Sequence, residues 1–124
     1  IDHIDFTYPY DEVLRKKLLG ILAKQNLKQG YSDFGVYGAT QGPRLETLAE
    51  INRLENDGCD LVGMTGMPEA ALARELNIPY ASLCLTVNPA AGKSEVLITM
   101  HDIRIVLNSG MAEIKQVIHS FCNI

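Results

Sequence analysis

No run of apolar residues in this chain approaches the roughly 18 that a membrane-spanning helix needs, and no signal-peptide pattern opens it. Cysteine is scarce. Cys59, Cys84 and Cys122 are odd in number, widely spaced and form no C-x-x-C pair. That argues against a disulfide scaffold or a zinc site and for a reducing compartment, hence a cytoplasmic location. Each cysteine is expected to be a small buried hydrophobe. The three histidines, His3, His101 and His119, have no partner at metal-ligand spacing, so no metal is expected. G-x-S-x-G, G-x-G-x-x-G and P-loop patterns are all missing, which leaves acyl transfer through a Ser triad and P-loop nucleotide hydrolysis without support. Positive charge is also short. Lys plus Arg is 11 against 15 Asp plus Glu, a net charge of −4, so a nucleic-acid partner has no electrostatic basis. The longest cationic cluster, Arg15-Lys16-Lys17, reads as a solvated helix face. No repeat, low-complexity segment or linker divides the sequence.

What is present is an ordinary globular composition. The 124 residues are 47% apolar. That suits one α/β domain over residues 1–124, since domains usually span about 100–200 residues. The chain begins with Ile1 in place of Met, which reads as a processed or excised chain. Residues 1–10 mix β-branched and aromatic side chains and read as extended. Asp11 is placed to cap a helix carrying Val13, Leu14, Leu18, Leu19, Ile21 and Leu22, with Gly30 as a stop. Phe34 to Ala39 is a short strand with Gly35 and Gly38 inside it, where the backbone approaches something closely. Leu45 to Glu55 predicts a second helix, and Asp60 to Met64 a strand apolar on both faces. Pro68 suits the first turn of a third helix that ends near Asn77. Pro79 to Val87 carries the strongest strand pattern. Thr99 caps a final helix towards Cys122, which Gly110 is placed to interrupt. Doubly apolar strands alternating with helices predict a mostly parallel or mixed sheet covered by helices on both sides.

Ligands of such sheets bind beyond the carboxyl ends of the strands, which selects three loops. The first runs from Ala39 to Glu46, the second from Met64 to Glu69, and the third from Thr86 to Gly92. Each also admits a purely structural role. Glu46 and Glu50 suit a helix start, where the macrodipole favours carboxylates. Thr65 suits either a helix cap or an anion, which its hydroxyl and nearby backbone N–H groups would receive. Asn88 suits a turn before Pro89, or the edge of a heterocycle, since an amide donates and accepts in one plane.

Taken together, the loops resemble the trimeric purine nucleoside phosphorylase and methylthioadenosine phosphorylase family. The run Gln41-Gly42-Pro43-Arg44-Leu45-Glu46-Thr47 with Ala49-Glu50 is similar to one of its segments. Cys59-Asp60-Leu61-Val62-Gly63-Met64-Thr65 with Met67-Pro68-Glu69 is similar to a second. Ala71 to Glu75 and Ala81 to Asn88 continue the match in order, so residues 30–95 are covered closely. The resemblance implies a phosphorylase-like three-layer fold, of which this chain is the C-terminal half of a longer subunit. It implies an enzyme, a pentosyltransferase of purine salvage that releases a purine from its nucleoside using inorganic phosphate as co-substrate, without metal or organic cofactor.

The same resemblance assigns roles. Glu46 falls where oxopurine-specific members place a carboxylate that accepts from purine N1–H. Asn88 falls where they place an amide on the O6 and N7 edge. An Asp there would favour a 6-amino group, because a carboxylate only accepts. Met64 falls beside the ribose and Thr65 at the phosphate. Leu45 replaces the usual Phe under the base, and Gln41 replaces a Glu; Arg44 is left without a role. Ile98, Met100 and His101 fall near the sugar 5′ substituent. His101 suits a 5′-hydroxyl, whereas Ile98 and Met100 suit a 5′-methylthio group, and the loop variants look most like methylthioinosine-type members. His3 and Phe6 resemble the segment that reaches a neighbouring subunit's sugar pocket in a homotrimer. Inosine or guanosine is the other 6-oxopurine substrate reading, and a related nucleosidase that uses water is a further one, against which Thr65 argues. The competing expectation is a non-catalytic fragment or assembly module that retains only the purine-recognition half of the site. It arises because the family's Gly-rich phosphate loop and Arg-His pair do not occur in this chain.

Overall fold

The computed structural model describes residues 3–28, 30–97 and 99–123. Along these residues the order is helix α1 (Glu12–Leu22), strand β1 (Tyr37–Ala39), helix α2 (Leu48–Asn56), strand β2 (Leu61–Gly63), helix α3 (Glu69–Glu75) and helix α4 (Met100–Cys122). β1 and β2 are parallel, with Tyr37 opposite Leu61, Gly38 opposite Val62 and Ala39 opposite Gly63. Parallel neighbours need a long crossover, and α2 supplies it. The expected parallel α/β arrangement is therefore met.

The chain folds as two compact units. One comprises Ile1–Tyr31, Gly66–Cys84 and Glu113–Ile124, and the other Ser32–Thr65 and Leu85–Ala112. In the first, Ile21, Leu22 and Val117 form a buried cluster joined by Leu18, Leu19, Leu27, Leu83 and Phe121. Each fully buried aliphatic side chain of this kind contributes about 1.5–3 kcal/mol. Asp11 caps α1 as expected, its carboxylate accepting from the Leu14 N–H at 2.8 Å. The Asp11 N–H donates to the Tyr80 carbonyl at 2.6 Å. The rings of Tyr10 and Tyr80 stack with centroids 6.2 Å apart. Arg74 donates to the Tyr8 carbonyl, which ties the opening segment to α3.

The second unit holds the sheet, the first and third loops, and Met64 and Thr65 of the second. Ile51 on α2 is buried. Gly38 is buried too, and a methyl group on it would lie 3.0 Å from the Cys59 sulfur and 3.3 Å from Leu54. The expected close approach at this strand glycine is thus real. The start of the ladder is pinned by the Asp60 carboxylate, which accepts from the Val36 N–H at 2.7 Å.

Five expectations need correction. Helix α2 starts at Leu48 and not Leu45, because Thr47 and Glu50 form a capping box: each side chain accepts from the other's backbone N–H. Pro68 sits at the N-cap of α3, one position ahead of the first turn. Within the expected strand 79–87, residues 81–87 have the two-residue alternation of a strand. Ala81, Leu83, Leu85 and Val87 are half-buried, and Ser82, Cys84 and Thr86 are exposed. Yet they join no ladder among the described residues, so the pattern was right in period and wrong in pairing. Gly110 does not interrupt α4; it is buried, and a methyl group there would strike Leu85 at 2.6 Å, so the glycine admits a neighbour. Cys84 and Cys122 are exposed and only Cys59 is partly buried, because Cys84 falls on the outward phase of its segment and Cys122 ends α4. Thr99 does cap α4, accepting from the Asp102 N–H at 3.3 Å.

Candidate active site

Parallel pairing places the ends of β1 and β2 side by side, so the first two loops leave the sheet together. Thr40 holds them in contact. Its N–H donates to the Gly63 carbonyl at 2.8 Å, and its hydroxyl lies 3.3 Å from the same oxygen. The hydroxyl also donates to Glu46 Oε1 at 2.6 Å. This short charge-assisted bond fixes one carboxylate oxygen and leaves the other without a hydrogen bond among the described residues. Glu46 is half-buried.

Two residues on, the chain turns at Gly42 with φ of +66°, a conformation side chains rarely adopt. A methyl group there would lie 2.5 Å from the Met64 sulfur. The bare glycine thus lets Met64 of the second loop lie across the first. Leu45, beside Glu46, is 56% exposed.

Arg44 is committed elsewhere. Its two terminal nitrogens donate to the two Glu50 oxygens, each at 2.8 Å, and one also reaches the Leu45 carbonyl. This fork, with the Thr47 N–H as a further donor, holds the Glu50 carboxyl down to about 2 from an ordinary 4.5. The partner carboxylate raises Arg44 in turn. Arg44 therefore secures the start of α2, in keeping with its lack of an assigned role.

Thr65 does not cap α3, whose N-cap makes no side-chain hydrogen bond. Its hydroxyl lies 3.1 Å from the Tyr37 phenol oxygen, and its N–H donates to that oxygen at 3.3 Å. The third loop is held against α2. A methyl group on Gly92, at φ of +74°, would collide with Leu48, and Lys93 bridges Glu55 at 2.5 Å and Asn52 at 3.4 Å. Asn88 is half-buried, and its amide nitrogen donates to the Pro89 carbonyl at 2.8 Å. That bond uses one amide hydrogen, leaving the second and the carbonyl oxygen for another partner.

Glu46, Met64, Thr65 and Asn88 thus lie in one compact unit, on loops linked through Thr40, Gly42 and Leu48. Met100 and His101 open α4 in the same unit and are exposed. Ile98 lies outside the described residues. His3, exposed, and Phe6, half-buried, belong to the other unit. Two contributors escaped sequence reasoning. Thr40 opens the first loop and carried no role, although a hydroxyl six residues before a candidate carboxylate was a usable signal. Tyr37 had none, since it meets Thr65 only through the strand register. Among the described residues no cluster of His, Cys, Asp and Glu is arranged to hold a metal, and no helix is long and apolar enough to cross a membrane.

Residues 2–122 match the family described as Phosphorylase superfamily. A Pseudomonas syringae pv. tomato protein named "Probable S-methyl-5'-thioinosine phosphorylase" is 62% identical over 115 residues, 93% of this chain and 46% of its own length. A Thermococcus kodakarensis protein named "Probable 6-oxopurine nucleoside phosphorylase" is 44% identical over 93% of this chain and 42% of its own. Among solved structures, Schistosoma purine nucleoside phosphorylase in complex with guanosine superposes with a TM-score of 0.84 at 25% identity. The match covers 95% of this chain and 43% of that one. The chain therefore spans slightly under half the length of these relatives.

Proposed function

The chain belongs to the phosphorylase superfamily, and from that premise we propose that it provides the purine-recognition side of a site for phosphorolysis of a 6-oxopurine nucleoside, with 5′-methylthioinosine as the preferred substrate. In that reaction an oxygen of inorganic phosphate forms a bond to the anomeric carbon. The carbon–N9 bond breaks, its electron pair leaves with the purine, and solvent supplies the proton the base takes up at N7. Positive charge builds on the sugar and negative charge on the base, so groups aimed at the departing purine act where charge develops.

The observation that carries the reading is the state of Glu46. Thr40 occupies one carboxylate oxygen at 2.6 Å and orients the other, which accepts from purine N1–H. Asn88, with one amide hydrogen held by Pro89, donates the second to O6 and accepts from N7–H through its carbonyl. Met64 lies against the ribose, Leu45 under the base, and Thr65 donates to phosphate. Met100 and His101 face the 5′ end of the sugar. In a homotrimer, His3 and Phe6 serve the pocket of a neighbouring copy. The names of the relatives support the 6-oxo choice, since they include a methylthioinosine and a 6-oxopurine phosphorylase. The test is phosphate-dependent release of hypoxanthine and adenine from matched nucleosides, with and without a 5′-methylthio group. Hypoxanthine release is expected to dominate and to stop without phosphate. Equal or faster adenine release would sink the base assignment, and release independent of phosphate would indicate a nucleosidase.

A second reading has its own support. The chain covers less than half of its relatives, and Leu45, Met64 and Met100 are exposed around the candidate site. On that reading the chain binds purine but turns nothing over alone. Intact-mass measurement on the assayed material decides it: turnover by a lone 124-residue species refutes this alternative.

A further inference from the structure

Tyr37 opens β1 and pairs with Leu61, two residues ahead of Gly63 on the neighbouring strand. Its ring crosses Gly63. A methyl group on that glycine would collide with the phenol oxygen and lie 2.7 Å from the ring carbon bearing it. The bare glycine is therefore the slot through which the phenol reaches the second loop. There the phenol oxygen accepts from the Thr65 N–H at 3.3 Å and lies 3.1 Å from Thr65 Oγ1.

We propose that Tyr37 is a positioning residue that sets the Thr65 hydroxyl for an inorganic phosphate oxygen. This rests on the reading of Thr65 as a phosphate ligand. In this arrangement the phenol oxygen accepts from the Thr65 amide, and its proton is assigned to Thr65 Oγ1, 3.1 Å away. The threonine proton is then directed away from the tyrosine and towards an incoming anion. Amide, phenol and hydroxyl form a relay in which each bond polarises the next. A free threonine hydroxyl rotates to suit any partner, and the phenol removes that freedom. The Thr65 amide is itself consumed by Tyr37, so the hydroxyl is the group this residue offers to phosphate. The glycine at position 63 belongs to the same device.

The test uses the 124-residue chain, with inorganic phosphate and hypoxanthine as separate probes, titrated by NMR and calorimetry. Thr65→Ala is expected to weaken phosphate binding about tenfold, and Tyr37→Phe about 3- to 10-fold, with hypoxanthine affinity within about twofold of the parent in both. The double variant is expected to bind phosphate no more weakly than Thr65→Ala, because Tyr37 acts only through that hydroxyl. Gly63→Ala, which expels the phenol, is expected to reproduce the Tyr37→Phe loss. If Thr65→Ala leaves phosphate binding unchanged, or the parent chain binds no phosphate, the phosphate reading of Thr65 fails and the inference with it. If Thr65→Ala weakens binding and Tyr37→Phe does not, the inference alone fails. Multiplicative losses in the double variant also overturn it, since Tyr37 would then touch the anion itself. An equal loss of hypoxanthine binding in Tyr37→Phe marks the ring as a general structural support and overturns it as well.

Discussion

Replacing Asn88 by Asp turns a group that donates and accepts into one that only accepts, and the structure sets two separable consequences. The first is local. The Asn88 amide donates to the Pro89 carbonyl at 2.8 Å, and a carboxylate there faces that oxygen acceptor to acceptor. Losing one such bond at a half-buried position costs about 0.5–1.5 kcal/mol. For a chain of this length, at roughly 3–6 °C per kcal/mol, that lowers the melting midpoint by roughly 2–9 °C. The second consequence falls on the base. A 6-oxopurine loses the donor to O6, while a 6-aminopurine gains an acceptor for its amino group. Each change is worth about 1–1.5 kcal/mol, so the ratio of hypoxanthine to adenine dissociation constants shifts by about 2–3 kcal/mol, or roughly 30- to 150-fold. Titration calorimetry on the chain with each base measures this directly, without needing turnover. Asn88→Ala is the control, since it removes both functions and weakens hypoxanthine without favouring adenine. A ratio that stays within about threefold in Asn88→Asp, in a folded protein, would refute the placement of Asn88 at the six-position edge.

Three further outcomes follow from particular contacts. Thr40→Val removes the hydroxyl that holds Glu46 Oε1, and is expected to weaken hypoxanthine binding about 3- to 10-fold by calorimetry; unchanged affinity would show that Glu46 needs no orientation. Gly92→Ala forces a side chain into φ of +74° and against Leu48, and is expected to cost at least about 1–2 kcal/mol in denaturant unfolding; a neutral result would show that the third loop can leave α2 freely. Glu50 is depressed from 4.5 to about 2 by Arg44 and the Thr47 N–H, so its contribution is complete above about pH 4.5 and lost as the pH falls towards 2. Unfolding midpoints across that window should therefore fall less steeply for Glu50→Gln than for the parent, and identical slopes would contradict the assignment.

What the sequence disclosed follows the range of the forces involved. Asp11 as a cap, Thr99 as a cap and the helix between Met100 and Cys122 were legible, because caps and helical spacing are interactions over three or four residues. The capping box of Thr47 and Glu50 was equally local and equally present in the letters. It went unread because Leu45 seemed to begin the apolar pattern, which placed the helix three residues early. Residues 79–87 mark the opposite limit. Alternation reports which side chains face inward, but pairing depends on a second strand far along the chain, and alternation is silent about that.

The site divides along the same line. The rule for open α/β sheets pointed to the three loops, and the family resemblance then singled out Glu46, Met64, Thr65 and Asn88 within them. Neither singled out Thr40 or Tyr37, because their meaning is relational. Thr40 matters through Glu46 and Gly63, and Tyr37 through a threonine 28 positions away that only parallel register brings into reach. The glycines make the relation visible once the fold is known. Gly42 is empty where Met64 lies and Gly63 where the Tyr37 phenol passes, so these two glycines are shaped by the side chains that cross them. A substitution that adds one methyl group at either position should therefore disturb ligand binding through a neighbour, with no polar atom of the site itself removed.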